Sequence, residues 1–253
     1  MAHFERDGVM LAYDDIGPRE GGATILLHGF ASNRTEMWRR LGWYAAFERR
    51  GVRAVAPDLR GHGESGKPHE ATAYARERLV ADVFALMDHL NLERATVFGF
   101  SLGARIALEV ALAAPTRVKN LILGGVGARL FDPPREGAPM ADAMEADDSD
   151  SVAEPLLKSF RQFADEQGED RKALAALARA GGRAFQAEQC ARLTMPVLAI
   201  AGSRDALAGD PDALAQAFAD GRAVTIPGCD HFSSISHALF KASVFDFLDG
   251  TMA

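Results

Sequence analysis

The sequence predicts an α/β protein with a mainly parallel, eight-stranded sheet, helices on both faces of the sheet, and one helical insertion. Three observations predict this class. Short apolar runs rich in β-formers alternate with longer segments of helical spacing, as in β-α-β units. A Gly-x-Ser-x-Gly pattern joins one such run to one such helix. The chain has 253 residues and is 48% hydrophobic, which suits one α/β core with an insertion.

The first half of the chain begins with two short strands and then alternates strand and helix. Asp7-Gly8 is the predicted hairpin turn between the first two strands, and Gly51 is the predicted end of the first helix. Pro115 follows the helix after the central strand and stops it. The predicted strands are His3–Arg6, Met10–Asp14, Thr24–Leu27, Val52–Ala56 and the segment around Thr96–Phe98, and the predicted helices are Thr35–Arg50, Ala73–Leu90 and Leu102–Ala113.

The second half resumes this alternation after an interruption. Between Phe131 and Ser151, prolines and acidic residues predict a mobile segment that stays out of the core. We expect the insertion to comprise residues 129–192 and the core domain to comprise residues 1–128 and 193–253. The predicted helices of the insertion are Val152–Ala164, Asp170–Ala180 and Phe185–Arg192, and the remaining elements are the strands Asn120–Val126, Pro196–Ala201 and Ala223–Ile226 and the helices Asp212–Phe218 and His237–Leu248.

Ser101 is the candidate nucleophile. It lies in Gly99-Phe100-Ser101-Leu102-Gly103, which predicts a sharp strand-to-helix turn whose flanking residues come against neighbouring backbone and so must be small. The following helix directs its N-terminus at the serine, where its dipole favours developing negative charge. The N–H of Leu102 is one expected donor to an oxyanion. The alternative is an ordinary N-cap serine after a glycine-rich turn.

A serine hydroxyl needs a base near neutral pH, and His231 is the best candidate among the 7 histidines. It follows the last predicted strand, and the carboxyl ends of parallel strands are where such sheets gather a site. Asp205 also follows a strand and is the expected acid that orients the imidazole. Asp230 and Asp210 are the alternatives for that role. The order Ser101, Asp205, His231 is that of one known arrangement of this triad.

These motifs resemble the α/β-hydrolase fold superfamily of serine hydrolases. The resemblance implies that the N–H of Phe30 is the second oxyanion donor and that the insertion is a helical cap. In one departure, some members have two or three glycines after the histidine of the first motif, where this chain has Phe30. Ser101 argues against the members with an aspartate nucleophile, the haloalkane dehalogenases and epoxide hydrolases. The motifs are His28-Gly29-Phe30, Asp58-Leu59-Arg60-Gly61-His62-Gly63-Glu64-Ser65, Gly99-Phe100-Ser101-Leu102-Gly103, Gly202-Ser203-Arg204-Asp205 and Gly228-Cys229-Asp230-His231-Phe232.

The resemblance implies hydrolysis of a small carboxylic ester or lactone through an acyl-enzyme, with no metal or organic cofactor. Carbon–carbon bond, enol-lactone and thioester hydrolysis remain open, because the same three residues serve all of them. A non-catalytic ligand receptor or scaffold is the alternative of another class. Some apolar residues of the insertion should pack on the sheet, and others should cover an apolar pocket. The candidate substrate contacts are Phe100, Leu156, Phe160 and Phe163.

The composition of the chain limits the classes of partner that it can bind. With 28 Lys and Arg against 35 Asp and Glu, the formal net charge is −7, which argues against nucleic acid or an anionic membrane as the main partner. A small-molecule ester or acyl compound is the expected partner, and the oligomeric state is left open. No apolar leader segment and no apolar run of spanning length is visible. Cys190 and Cys229 are expected to be reduced thiols in a cytoplasmic protein.

Overall fold

An eight-stranded sheet forms the centre of the computed structural model, which describes residues 1–134 and 136–252. Arg135, inside the predicted insertion, and Ala253 lie outside the described residues. The strands are β1 (Ala2–Arg6), β2 (Val9–Ile16), β3 (Ala23–Leu27), β4 (Arg53–Pro57), β5 (Ala95–Phe100), β6 (Val118–Gly124), β7 (Val197–Gly202) and β8 (Gly221–Ile226). Their order is β1-β2-β4-β3-β5-β6-β7-β8, with β1–β2 and β2–β4 antiparallel and the other pairs parallel. The predicted fold class is confirmed.

Helices cover both faces of this sheet. They are α1 (Trp43–Arg49), α2 (Arg76–His89), α3 (Leu102–Ala113), α4 (Ala138–Glu145), α5 (Pro155–Gln167), α6 (Arg171–Ala180), α7 (Ala187–Cys190), α8 (Pro211–Ala215) and α9 (Ala238–Leu248). Ile25 and Leu27 of β3 join the core formed with α2 and α3, whereas Leu26 joins the core formed with α1 and α9. Because successive side chains of a strand point to opposite faces and both faces are covered, all five residues of β3 are buried.

The predicted helix Thr35–Arg50 is wrong in one respect, because the chain breaks it in two. A π-helical segment, Thr35–Arg40, is followed by α1, and Gly42 between them has a φ of +76°. A residue in the left-handed region cannot continue a right-handed helix. On the two sides of the break, Trp38 and Trp43 pack edge to face with ring centroids 6.0 Å apart, and both are fully buried.

The predicted exclusion of 131–151 from the core is also wrong. This stretch contains α4, in which Ala141 and Met144 are fully buried. They lie three residues apart on one face, while Asp142 and Glu145 are exposed on another, and Glu145 pairs with Arg179 of α6 at 2.8 Å. The acidic composition therefore describes only the solvent face of an amphipathic helix.

The insertion lies between β6 and β7 and contains α4 to α7. The predicted helix Val152–Ala164 begins and ends about three residues later, as α5. Its N-terminus is set by Glu154, whose carboxylate accepts hydrogen bonds from the N–H groups of Leu156 and Leu157 at 3.2 and 2.8 Å. Gly168, with a φ of +66°, ends it. The helices α7 and α8 are shorter than predicted.

Cys190 and Cys229 are both buried and unpaired, in agreement with the predicted thiols. Within residues 1–134 and 136–252, no helix combines the length and the apolar character needed to cross a bilayer.

Candidate active site

Ser101 occupies a tight turn between β5 and α3. Its φ of +55° and ψ of −111° lie outside the regions that non-glycine residues normally adopt. A Cβ added at Gly99 would lie 2.1 Å from the carbonyl oxygen of Gly103, and one at Gly103 would lie 2.1 Å from that of Leu27. The two glycines are therefore required by close backbone packing, and the turn presents the serine side chain at the strand end.

His231 lies between Ser101 and Asp205. Its Nε2 is 2.9 Å from Ser101 Oγ, and its Nδ1 is 2.8 Å from Asp205 Oδ2. A carboxylate only accepts hydrogen bonds, so Nδ1 carries the proton and Nε2 is free to accept from the serine hydroxyl. The other oxygen of Asp205 accepts from the N–H groups of Leu207 and Ala208, both at 3.0 Å. The carboxylate is thus buried and fixed in orientation.

The alternative acids have other partners. Asp230 accepts hydrogen bonds from the N–H and the hydroxyl of Ser233 at 2.9 and 2.6 Å, within a solvent-exposed turn. These bonds hold the pKa of Asp230 below its usual value. Asp210 caps α8 through the N–H of Asp212 at 3.0 Å. The structure therefore brings Asp205, and neither alternative, against His231.

The two predicted oxyanion donors belong to residues near the serine. Leu102 is the first residue of α3, so its N–H has no acceptor within the helix. Phe30 lies in the loop after β3 and lines the same cavity as Ser101. Gly29 does not have a positive φ, and a Cβ there would meet its nearest neighbours at an ordinary 3.5 Å. The left-handed residue of this loop is instead Ala31, with a φ of +58°.

Two buried histidines hold this loop. His62 Nε2 accepts from the N–H of Ala31 at 3.3 Å, and its Nδ1 donates to the carbonyl of Arg60 at 3.1 Å. His28 has the same arrangement, with Nε2 accepting from the N–H of Leu59 at 2.9 Å and Nδ1 donating to the carbonyl of Gly29 at 2.8 Å. One ring nitrogen of each faces a donor, so both rings are neutral.

Burial keeps these histidines neutral. It lowers the pKa of His62 to about 4 and, together with the neighbouring His62, the pKa of His28 well below 6.5. Sequence reasoning named His62 only as a member of the motif that begins at Asp58. Its position in the Gly-x-Gly turn carried no sign that it reaches the loop after β3.

A cavity of about 420 Å³ opens over Ser101. Of the predicted substrate contacts, Phe100, Phe160 and Phe163 line it. Leu156 does not belong to its wall and packs against the apolar cluster between α4, α5 and α6, so the expectation for Leu156 is wrong. The cavity is lined by Gly29, Phe30, Ser32, Glu36, Met37, Leu41, Phe100, Ser101, Ser159, Phe160, Gln162, Phe163, Glu166, His231, Phe232 and Ile235.

Sequence reasoning missed Phe232, which joins the insertion to the loop after β8 that carries His231. Its ring centroid lies 5.5 Å from that of Phe160, 6.2 Å from that of Phe163 and 5.6 Å from that of His231. It is also 43% exposed, so it lies at the cavity opening. The only signal in the sequence was its position directly after His231.

Glu169, between α5 and α6, was also missed. One carboxylate oxygen accepts from Asn33 Nδ2 and the other from the N–H of Gly63, both at 2.9 Å. Glu169 is buried, and burial raises its pKa. This single side chain therefore ties the insertion to two loops of the core beside the cavity.

The sheet order, the turn at Ser101 and the loop positions of His231 and Asp205 are those of an α/β-hydrolase-type core. The family model described as alpha/beta hydrolase fold matches residues 23–165. The chain belongs to this family.

Two similar proteins match nearly the full length of this chain. The chain is 30% identical over 266 aligned positions to a protein of Variovorax paradoxus named as a carbamate hydrolase, with 94% of this chain and 96% of that protein covered. The solved structure of an enol-lactonase from Burkholderia xenovorans superposes with a TM-score of 0.80 at 25% identity, covering 98% of this chain and 100% of that one.

Other relatives match only in part. A Bacillus subtilis protein named as a 2-succinyl-6-hydroxy-2,4-cyclohexadiene-1-carboxylate synthase is 33% identical over 117 residues, which are 46% of this chain and 41% of that protein. The match therefore spans less than half the length of that relative.

Proposed function

We propose that the chain is a serine hydrolase that cleaves a small carboxylic ester or lactone through an acyl-enzyme. The observation that carries this proposal is the unbroken hydrogen-bonded series from Ser101 through His231 to Asp205 at the wall of a largely apolar cavity. An apolar cavity with few polar groups is typical of a small-molecule site. A serine, a base and an orienting acid in this geometry are the parts that nucleophilic catalysis requires.

In the proposed reaction, Ser101 Oγ attacks the carbonyl carbon while His231 Nε2 takes the hydroxyl proton. The imidazolium that results is stabilised by Asp205 at Nδ1. His231 then gives the proton to the leaving alkoxide, and the acyl group remains on Ser101. Water then attacks the acyl carbon while the same nitrogen takes one of its protons, and the bond from the acyl carbon to Ser101 Oγ breaks. The imidazolium returns the proton to Ser101 Oγ, so the acid is released and the enzyme is restored.

The tetrahedral intermediates carry a negative charge on the former carbonyl oxygen. We assign its stabilisation to the N–H groups of Leu102, at the start of α3, and of Phe30, which lines the same cavity as the serine. The N-terminal end of α3 adds a favourable dipole at this position. His28 and His62 support the Phe30 loop from behind through neutral hydrogen bonds.

The relatives support the acyl chemistry. The enol-lactonase favours a lactone as one candidate substrate. The relative named as a carbamate hydrolase, which matches over almost its whole length, favours a carbamate as a second candidate. Thioester and carbon–carbon bond hydrolysis would use the same three residues, and a receptor built on this fold would use none of them for turnover.

The test is hydrolysis of p-nitrophenyl butyrate and of a lactone such as dihydrocoumarin. The wild-type protein should turn over at least one of them, and Ser101→Ala should retain only a residual rate, about 10³–10⁴ above water in well-studied triads. Ser151→Ala, at an exposed serine outside the cavity wall, is the matched control. Circular dichroism of each variant checks folding. Near wild-type activity in Ser101→Ala would refute the proposal, and a wild-type protein inactive on both compounds would favour a receptor.

A further inference from the structure

The wall of the cavity carries charge of one sign. Its ionisable side chains are Glu36, Glu166 and His231, and His231 must be neutral to act as the base. Among the described residues, no lysine or arginine lines the cavity. A substrate therefore meets two carboxylates and no fixed positive charge on its way to Ser101.

Glu166 supplies one of these charges, from the last turn of α5. It shares a helix face with Ser159 and Phe163, which also line the cavity. Its residue is exposed, which places it toward the opening, and no ion pair forms on it within the described part of the chain. The carbonyl end of the helix adds partial negative charge to the same region.

Glu36 supplies the other charge, from the π-helical segment. It pairs with Arg40 at 2.9 Å, but Arg40 is 69% exposed and does not belong to the cavity wall, whereas the Glu36 side chain is 18% exposed. An exposed ion pair of this kind is weak, because water screens both charges. The Arg40 guanidinium therefore offsets the charge of Glu36 only in part, and the cavity wall itself carries the carboxylate but not its partner.

The inner wall is different, because it is apolar. Phe100, Ile235 and Met37 line it and are all buried. The cavity thus has a neutral, apolar region and a negative rim.

We propose, on the basis of the serine hydrolase function above, that this enzyme selects esters with an apolar acyl chain that ends in a neutral or positively charged group. Acyl chains that end in a carboxylate are rejected, with Glu36 and Glu166 as the residues that discriminate. The unfavourable contribution is the repulsion between the substrate carboxylate and the two side chains, which Arg40 offsets only in part, through its exposed ion pair with Glu36.

The experiment compares three p-nitrophenyl esters that share a six-carbon acyl chain. The chain ends in a trimethylammonio group, in its neutral tert-butyl isostere, or in a carboxylate. In low salt, kcat/KM for the cationic ester should exceed that for the anionic ester by about tenfold or more, and 0.5 M NaCl should reduce the ratio to about threefold. Glu36→Gln and Glu166→Gln should each lower the low-salt ratio by about threefold. Glu188→Gln, at an exposed residue of α7 outside the cavity wall, should not change it.

The outcomes separate this inference from the function on which it rests. Ser101-dependent hydrolysis of the neutral ester with no dependence on charge, or with a preference for the anion, overturns the inference and leaves the hydrolase function intact. If no ester is hydrolysed, the hydrolase function fails, and calorimetric binding of the three corresponding methyl ketones still tests the charge selection. Equal affinities of the three ketones would then overturn it, and weakest binding of the carboxylate would support it.

Discussion

Replacing His62 by glutamine should make the stability of the protein less sensitive to acid. In the folded chain His62 is fully buried, accepts from the N–H of Ala31 and donates to the carbonyl of Arg60. Protonation of its Nε2 would place a new ring N–H directly against the backbone N–H of Ala31. A glutamine oxygen can still accept from Ala31 but does not titrate, so the variant removes the proton-linked part of the interaction.

The sign follows from the two pKa values. The unfolded chain binds this proton near the ordinary value of about 6.5, and the folded chain binds it near pH 4 because burial lowers the pKa of His62 to about 4. Between these values the unfolded state holds more protons. The contribution to stability is therefore complete above pH 6.5 and is lost as the pH falls toward 4. The difference between the two pKa values corresponds to about 3 kcal/mol of unfolding free energy in total. About 2 kcal/mol of this is lost between pH 7 and pH 5.

The assay is urea unfolding at a series of pH values, followed by the fluorescence of the buried Trp38 and Trp43. The decrease in unfolding free energy from pH 7 to pH 5 should be smaller in His62→Gln than in the wild type by about 2 kcal/mol. His28 is present in both proteins, but loss of the neighbouring His62 raises its lowered pKa, which reduces the acid sensitivity of the variant further in the same direction. His3→Gln, at an exposed histidine, is the control. Equal slopes in His62→Gln and wild type, within about 0.5 kcal/mol, would refute the reasoning.

Three further predictions concern the site and its support. Asp205→Asn should lower kcat by about 10⁴ while Asp230→Asn changes it little, and steady-state kinetics showing the reverse would reassign the acid. Glu169→Ala should lower the unfolding free energy by about 3 kcal/mol, because it leaves two donors without a charged acceptor; a loss below about 1 kcal/mol in urea unfolding would contradict this. Phe160→Ala should shift the preference between short and long acyl esters, whereas Leu174→Ala, which packs inside the insertion, should cost about 2–5 kcal/mol of stability without changing that ratio.

The sequence alone was sufficient to predict the sheet and the three residues proposed for catalysis. Ser101 could be found because a sharp turn of this kind needs small residues on both sides, which leaves a local pattern. His231 and Asp205 could be found because they follow strands, and the ends of parallel strands meet at one edge. Both inferences use short-range patterns and one rule of sheet topology.

Tertiary structure decided which residues form the cavity and what holds it. Helical spacing marked Leu156 and Phe160 equally as apolar positions of the insertion, but only Phe160 faces the cavity. Glu169 bonds to Asn33 across 136 positions of sequence, and nothing near either residue indicates the other. Periodicity shows that a side chain is turned inward, whereas its partner depends on how separate elements pack. For that reason the sequence determined the fold and the proposed catalytic residues, and only the packing of the insertion on the core determined the shape and charge of the cavity.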